Sequence, residues 1–298
     1  ELNKKAKAFP LLISTEAVPE LTQIVETPTA WRVGAGATLT NLEQALGAEY
    51  PSLQKMLAVY ASRQIRSRAT LGGNIATASP IGDSAPLLLT LDATLLLSSA
   101  SGDRTVALKD FFVGYRKTVL RTDEVIREII VPRGGAGRVD YFKVSKRREM
   151  DISIVAGAFR VACDAAGVVT EARLAFGGVA ATPVRALKAE AALVGKTLAG
   201  AVTEVAAVLR TEFTPIDDVR GGAAYRRGLI VSLWEKFASG EHSLAQDGAL
   251  HKPVLINAGR GGLQKETDIL ACLNDGSLGE AILDVFETEP ILQGHPLL

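Results

Sequence analysis

The sequence predicts an α+β fold in two main parts, followed by a short α/β tail. Strand-like runs pair through short turns, and helical periodicity follows the strands instead of alternating with them. Residues 133–138 hold three glycines and two arginines, a linker signal, and polar 239–248 marks a second break. From Lys252 the pattern becomes strand, helix, strand. The expected domains are residues 1–134, 139–240 and 252–298.

Composition bounds the function. A chain of 298 residues has room for about two domains, and 47% hydrophobic with 22% charged residues can bury a core. Lys+Arg and Asp+Glu are 33 each, so neither a nucleic-acid nor a membrane partner is expected. No apolar run approaches the ~18–20 residues of a membrane helix. The chain opens on polar Glu1-Leu2-Asn3-Lys4-Lys5, which reads as a cut end without a signal peptide. Cys163 and Cys272 are far apart with no CxxC, so no disulfide framework, zinc site or iron–sulfur site is expected. The setting is read as cytoplasmic. His242, His251 and His295 all lie after residue 240. Chemistry before that point needs other groups or a bound cofactor.

Taken in order, 9–14 is an apolar strand with Pro10 at its edge, and 18–21 a turn. Residues 31–40 read as strand, glycine turn and helix cap, with Thr40 and Glu43 forming a capping box. Leu39, Leu42, Ala45 and Leu46 form one helical face. Gly34-x-Gly36 lacks the third glycine and the βαβ context of a dinucleotide fingerprint, and reads as a packing turn. Residues 50–60 continue helically, with Leu53, Met56 and Leu57 as core. After a packed apolar segment at 85–91, 93–98 and 104–108 form a hairpin across Ser101-Gly102-Asp103. Residues 111–118 are a compact aromatic and basic turn, and 124–132 alternate as a half-buried strand ended by Pro132. In the second part, 139–146 is a strand, and 152–161 pairs with 169–176 through Asp164-Ala165-Ala166-Gly167. Residues 185–212 are helix-rich. The final helix, 224–237, carries Tyr225, Leu229, Leu233 and Phe237 on one face. In the tail, 254–257 and 281–286 are strands flanking a helix at 267–273. A piece this short does not normally hold a core alone.

The most informative stretch is 63–83. Arg63, Arg66 and Arg68 lead into Gly72-Gly73, then into small and hydroxyl residues closing on Pro80 and Asp83. Paired glycine lets backbone N–H groups approach a ligand, and successive N–H groups form an anion-binding concavity. Thr70, Asn74, Thr77 and Ser79 add side-chain donors and acceptors. Two readings stand: a turn between strands, or a diphosphate cradle. The arginines form a solvated face, or neutralise a phosphate or a partner surface. The charged 147–151 loop is solvated or borders a site.

These residues resemble a known family. Thr70-Leu71-Gly72-Gly73-Asn74-Ile75 through Thr77-Ala78-Ser79-Pro80-Ile81-Gly82-Asp83 carries the likeness. Phe111-Phe112-Val113-Gly114-Tyr115-Arg116-Lys117-Thr118 supports it, as do Phe142-Lys143 and Arg147-Arg148-Glu149-Met150-Asp151-Ile152. Residues 1–240 resemble the FAD-binding portion of xanthine dehydrogenase, the medium flavoprotein subunit or domain of the molybdenum hydroxylases. The resemblance implies a vanillyl-alcohol-oxidase-type (PCMH-type) FAD-binding domain followed by the flavoprotein C-terminal α+β domain. It implies that Ala69, Thr70, Leu71, Gly72, Gly73 and Asn74 contact the FAD diphosphate, and that Thr77, Ser79 and Asp83 reach flanking hydroxyls. Tyr60 matches an aromatic against the flavin or its adenosine arm, and Ile126 and Lys143 match further FAD contacts. The 147–151 loop matches one controlling NAD access.

The implied function is electron transfer in purine catabolism, from molybdenum through iron–sulfur clusters to FAD and then NAD. The iron–sulfur and molybdopterin groups are expected in partner domains or chains. The family's first FAD loop, before Phe9, is not matched, and the chain reads as starting just after it. The tail resembles a D-2-hydroxyacid dehydrogenase fragment of the glyoxylate/hydroxypyruvate reductase type, through 255–261 and 283–290. There Arg260 matches a carboxylate-binding arginine and Glu289 a glutamate orienting a catalytic histidine. Both read as vestigial, in a fusion or assembly artefact. The alternatives to electron transfer are a non-catalytic docking remnant and a reductase fragment.

Overall fold

The computed structural model describes residues 8, 10, 11, 14–135, 137–147, 150–240, 254–257, 269, 271, 274 and 280–283. It divides into two compact units at Gly240. The first opens with a short 3-10 turn (Thr15–Ala17) and a helical turn, α1 (Pro19–Thr22), then β1 (Ile24–Glu26) and β2 (Ala30–Gly34). Five short helices follow: α2 (Leu39–Leu46), α3 (Pro51–Ala58), α4 (Arg63–Arg66), α5 (Leu71–Ala76) and α6 (Ser84–Thr90). The chain returns through β3 (Thr94–Ser99), β4 (Gly102–Ala107), a small β5–β6 hairpin (Phe112–Gly114, Lys117–Thr118) and β7 (Val125–Pro132). The first sheet is antiparallel, ordered β1-β2-β7-β3-β4.

The second half holds β8 (Arg138–Val144), β9 (Val155–Cys163), β10 (Val169–Gly177) and β11 (Val184–Arg185) in the antiparallel order β11-β10-β9-β8. Helices α7 (Leu187–Leu193), α8 (Leu198–Glu212) and α9 (Ala223–Ser239) cover one face. The period of two along β9 sorts its side chains. Val155, Phe159 and Val161 join the aromatic core under α7–α9, where Phe159 stacks on Phe237 at 5.1 Å. Ala156 and Ala158 face the other way into the core of the first half. Their small size lets α6 lie flat on β9 and β10, and every residue of α6 is buried. The sheet of the second half therefore closes the core of the first while keeping an aromatic core of its own on its other face.

Several expectations change. The paired glycines lie inside α5, not in a turn. The cap of α2 is Thr38, whose Oγ1 accepts from Asn41 N at 3.1 Å, while Thr40 contacts Ser67. The packed segment at 85–91 lies in α6 and its cap; buried on every side, it is apolar nearly all round, which hides the helical period. Tyr225 is 52% exposed, and Arg226 takes the inward place on α9.

In the second unit, β12 (Val254–Asn257) pairs in parallel with β13 (Glu280–Leu283). The helix expected at 267–273 lies largely outside the described residues, as do the strand at 9–14, Arg260 and Glu289. No helix among the described residues is long and apolar enough to cross a membrane.

Candidate functional site

The site grows from α5 and the segment after it. Thr70 caps α5, its Oγ1 accepting from Gly73 N at 3.1 Å. Leu71 N donates to Ala37 O at 3.3 Å and Gly72 N to Ala35 O at 3.0 Å, seating the helix on the 34–37 turn. A Cβ on Gly72 would lie 2.5 Å from Ala35 Cβ, so this glycine is there for close packing. Gly73 is exposed, and a Cβ there would meet only Thr70 Oγ1. The three amides of the expected cradle are thus engaged within the chain. The open feature is the bare surface at Gly73.

Side chains beyond the glycines converge on a cavity of about 400 Å³. Tyr60, Asn74, Ser79 and Asp83 line it from the first half, with Arg116; Asp151, Ser153 and Arg220 come from the second. Asn74 Nδ2 donates to Tyr60 Oη at 2.9 Å, and Ser84 donates to Asn74 Oδ1. Asp83 accepts from Lys143 Nζ at 2.8 Å and from Ser153 Oγ, and Lys143 also donates to Val59 O at 3.1 Å. This buried pair ties the first half to the second. Burial, with the Asp83 carboxylate adding to it, holds the Tyr60 phenol above its ordinary value, outweighing the Asn74 bond. The same two causes, in the same order, push buried Tyr141 well above it.

A second cavity of about 390 Å³ shares Ser79, Ile81, Arg116 and Arg220 with the first, and Gly178, Ile216 and Arg226 also line it. Positive φ marks both. Ala61 (44°), Arg116 (53°) and Met150 (56°) line the cleft, and Ala78 (45°) adjoins Ser79. Left-handed non-glycine residues carry a conformational cost and cluster at ligand sites.

Of the expected contacts, Tyr60, Asn74, Ser79 and Asp83 meet at the cleft, with Lys143 behind Asp83. Thr77 is exposed and donates to Asn74 O. Leu71 and Ile126 belong to the apolar core, Ala69 packs against it, and none of the three lines either cavity. Arg66 donates to Tyr60 O and Arg68 pairs with exposed Glu16, so these two arginines serve local structure. Asp151 of the charged loop lines the cleft, while Arg148 and Glu149 lie outside the described residues. Ser153, Arg220 and Arg226 were not among the expected contacts. Ser153 directly follows the 147–152 motif, and Arg226 stands four residues before Ile230 of the α9 core. Among the described residues no group of three or more His, Cys, Asp or Glu could hold a metal ion.

The chain matches three families along its length. Residues 1–134 match the FAD binding domain in molybdopterin dehydrogenase, and 140–240 the CO dehydrogenase flavoprotein C-terminal domain. A carbon monoxide dehydrogenase structure from Hydrogenophaga pseudoflava is 32% identical, with a TM-score of 0.70, covering 74% of this chain and 77% of that one. The chain belongs to the flavoprotein family of the molybdenum hydroxylases. Quinoline 2-oxidoreductase from Pseudomonas putida 86 resembles this flavoprotein at 28% identity and a TM-score of 0.70, over 77% and 82% of the two chains. Xanthine dehydrogenase/oxidase of Gallus gallus is 35% identical over 80% of this flavoprotein, which spans 19% of that protein's length. Residues 243–298 match the D-isomer specific 2-hydroxyacid dehydrogenase NAD binding domain.

The cleft fits FAD by its donor set. Hydroxyl, amide and guanidinium groups from Ser79, Asn74, Arg116 and Arg220 suit ribityl and phosphate oxygens, and Ile65, Ile81 and Ile152 suit a flat apolar ring.

Proposed function

We propose that residues 1–240 hold FAD in this cleft and serve as the electron-transfer part of a cytoplasmic xanthine dehydrogenase-type molybdenum hydroxylase. Electrons arrive from iron–sulfur clusters on partner domains or chains and leave to NAD. The observation that supports this best is the convergence of Tyr60, Asn74, Ser79 and Asp83 on one strained, two-walled cleft. Bound FAD supplies the hydride and single-electron chemistry. The chain's own groups bind and orient. Asn74 and Ser79 present hydrogen-bonding groups, Gly73 leaves the helix surface open to a diphosphate, and Thr77 stands beside it. Arg116 and Arg220 bring positive charge to the cleft. Asp83, fixed by Lys143 and Ser153, holds the 79–83 segment in place from behind.

Titration of the protein with FAD, followed by quenching of flavin fluorescence, is expected to show one-to-one uptake. Gly73→Asp is expected to abolish it, because the new side chain covers the helix surface and sets an anion beside the diphosphate. A wild-type protein that takes up no FAD, or a variant with unchanged stoichiometry, would contradict the assignment.

A further inference from the structure

The cleft wall supplied by the second half is built around a buried arginine. Arg226, in the first turn of α9, is 2% exposed. Its Nη1 donates to Gly178 O at 2.8 Å and Ile154 O at 3.0 Å, and its Nε to Gly221 O at 3.3 Å. Its Nη2 donates to Asp218 Oδ1 at 2.6 Å. These acceptors come from three separate segments: the entry to β9, the turn after β10 and the loop before α9. All three border the cleft, through Ser153, Gly178 and Arg220. Asp218 extends the chain of contacts. Its Oδ1 accepts from the amides of Arg220 at 2.8 Å and Gly221 at 3.2 Å, and its Oδ2 lies 3.5 Å from Arg220 Nη1. Burial pushes the Asp218 carboxyl up, but the Arg220 amide and the Arg226 guanidinium outweigh it and hold the group below its usual range. Arg220 ends the series with its side chain 32% exposed, lining both cavities.

An apolar residue at 226 would continue the Ile230, Trp234 and Phe237 face of α9 without desolvating a charge. The apolar face of α9 alone does not call for arginine there; what does is the set of Ile154, Gly178 and Gly221 carbonyls together with the Asp218 carboxylate. We propose that Arg226 is a positioning residue for the cleft: it acts through Asp218 to hold the Arg220 guanidinium where the two cavities meet, and Arg220 contacts a phosphate of the bound nucleotide. This rests on the FAD reading above.

A double-mutant cycle on the full chain tests it, with FAD affinity at low and high salt and thermal midpoint as readouts. Arg220→Met is expected to keep the midpoint, weaken FAD about tenfold and flatten the salt dependence, as loss of one charge-assisted contact should. Arg226→Met is expected to weaken FAD at least as much and flatten the salt dependence equally. The double variant should bind no more weakly than Arg226→Met. Should Arg226→Met fail to fold, Arg226→Lys replaces it, because lysine keeps the charge but cannot reach three segments at once. Unchanged FAD affinity in Arg220→Met, or losses that multiply in the double variant, would overturn the relay. Absence of FAD uptake by the wild type would instead sink the flavin reading, and the relay with it.

Discussion

The two halves of the 69–83 stretch do different work. In the first half, residues 69–73 spend their backbone groups on the fold: Leu71 and Gly72 amides on the 34–37 turn, Gly73 on the Thr70 cap. In the second half, Asn74, Ser79, Ile81 and Asp83 line the cleft, and Asp83 reaches across to Lys143 and Ser153. Adjacent glycines are therefore not equivalent. Gly72 is required by what lies under the helix, and Gly73 is free for what lies over it. A glycine pair signals close backbone approach without saying whether the approaching group belongs to a ligand or to the protein.

The contrast breaks most sharply at the Asp83–Lys143 pair. Lys143→Met leaves the Asp83 carboxylate buried with its cation gone, at a cost of about 3–5 kcal/mol. Chemical denaturation of Lys143→Met and of the Asp83→Asn, Lys143→Met double variant measures this. The double variant should regain part of the loss, and no regain would mean that Lys143 stabilises through Val59 O alone. The next effect is at the glycines. Gly72→Ala places a Cβ 2.5 Å from Ala35 Cβ and 2.6 Å from its carbonyl oxygen. An overpacking cost of about 1–3 kcal/mol is expected. Gly73→Ala disturbs only the Thr70 cap, about 1 kcal/mol. Equal losses at the two positions would erase the distinction between them.

Much of the fold was legible because it is local. The hairpins at β3–β4 and β9–β10 follow from alternation bounded by Gly102 and Gly167, both at positive φ. Helix α6 was not, because a segment buried on every side has no polar face to betray its period. The site divides likewise. Asn74, Ser79 and Asp83 lie within the 63–83 stretch whose motif could be read, and Tyr60 stands just before it. Ser153 and Arg220 reach the same cleft from far along the chain; the 147–152 motif stops one residue short of Ser153, and nothing around Arg220 marks it as facing the cleft. Arg226 was hidden by the amphipathic pattern of α9, where a charged residue is expected outward and Tyr225 inward. Four satisfied hydrogen bonds reverse that order.

The smallest effect, and the finest probe of the junction, is the titration of Tyr60. Burial raises this phenol and the Asp83 carboxylate raises it further, while the Asn74 bond opposes them. A phenol whose folded value lies above its unfolded value of 10.0 favours the folded state below that pH, and the contribution fades as pH climbs past the folded value. Asp83→Asn removes the carboxylate and keeps the shape. An ultraviolet difference titration against a Tyr60→Phe reference should show the Tyr60 step move to lower pH in Asp83→Asn. The alkaline limb of the stability profile should move the same way. A Tyr60 step that stays in place would mean that the Asp83 charge is fully neutralised by Lys143 at the cleft, and that burial alone governs the phenol.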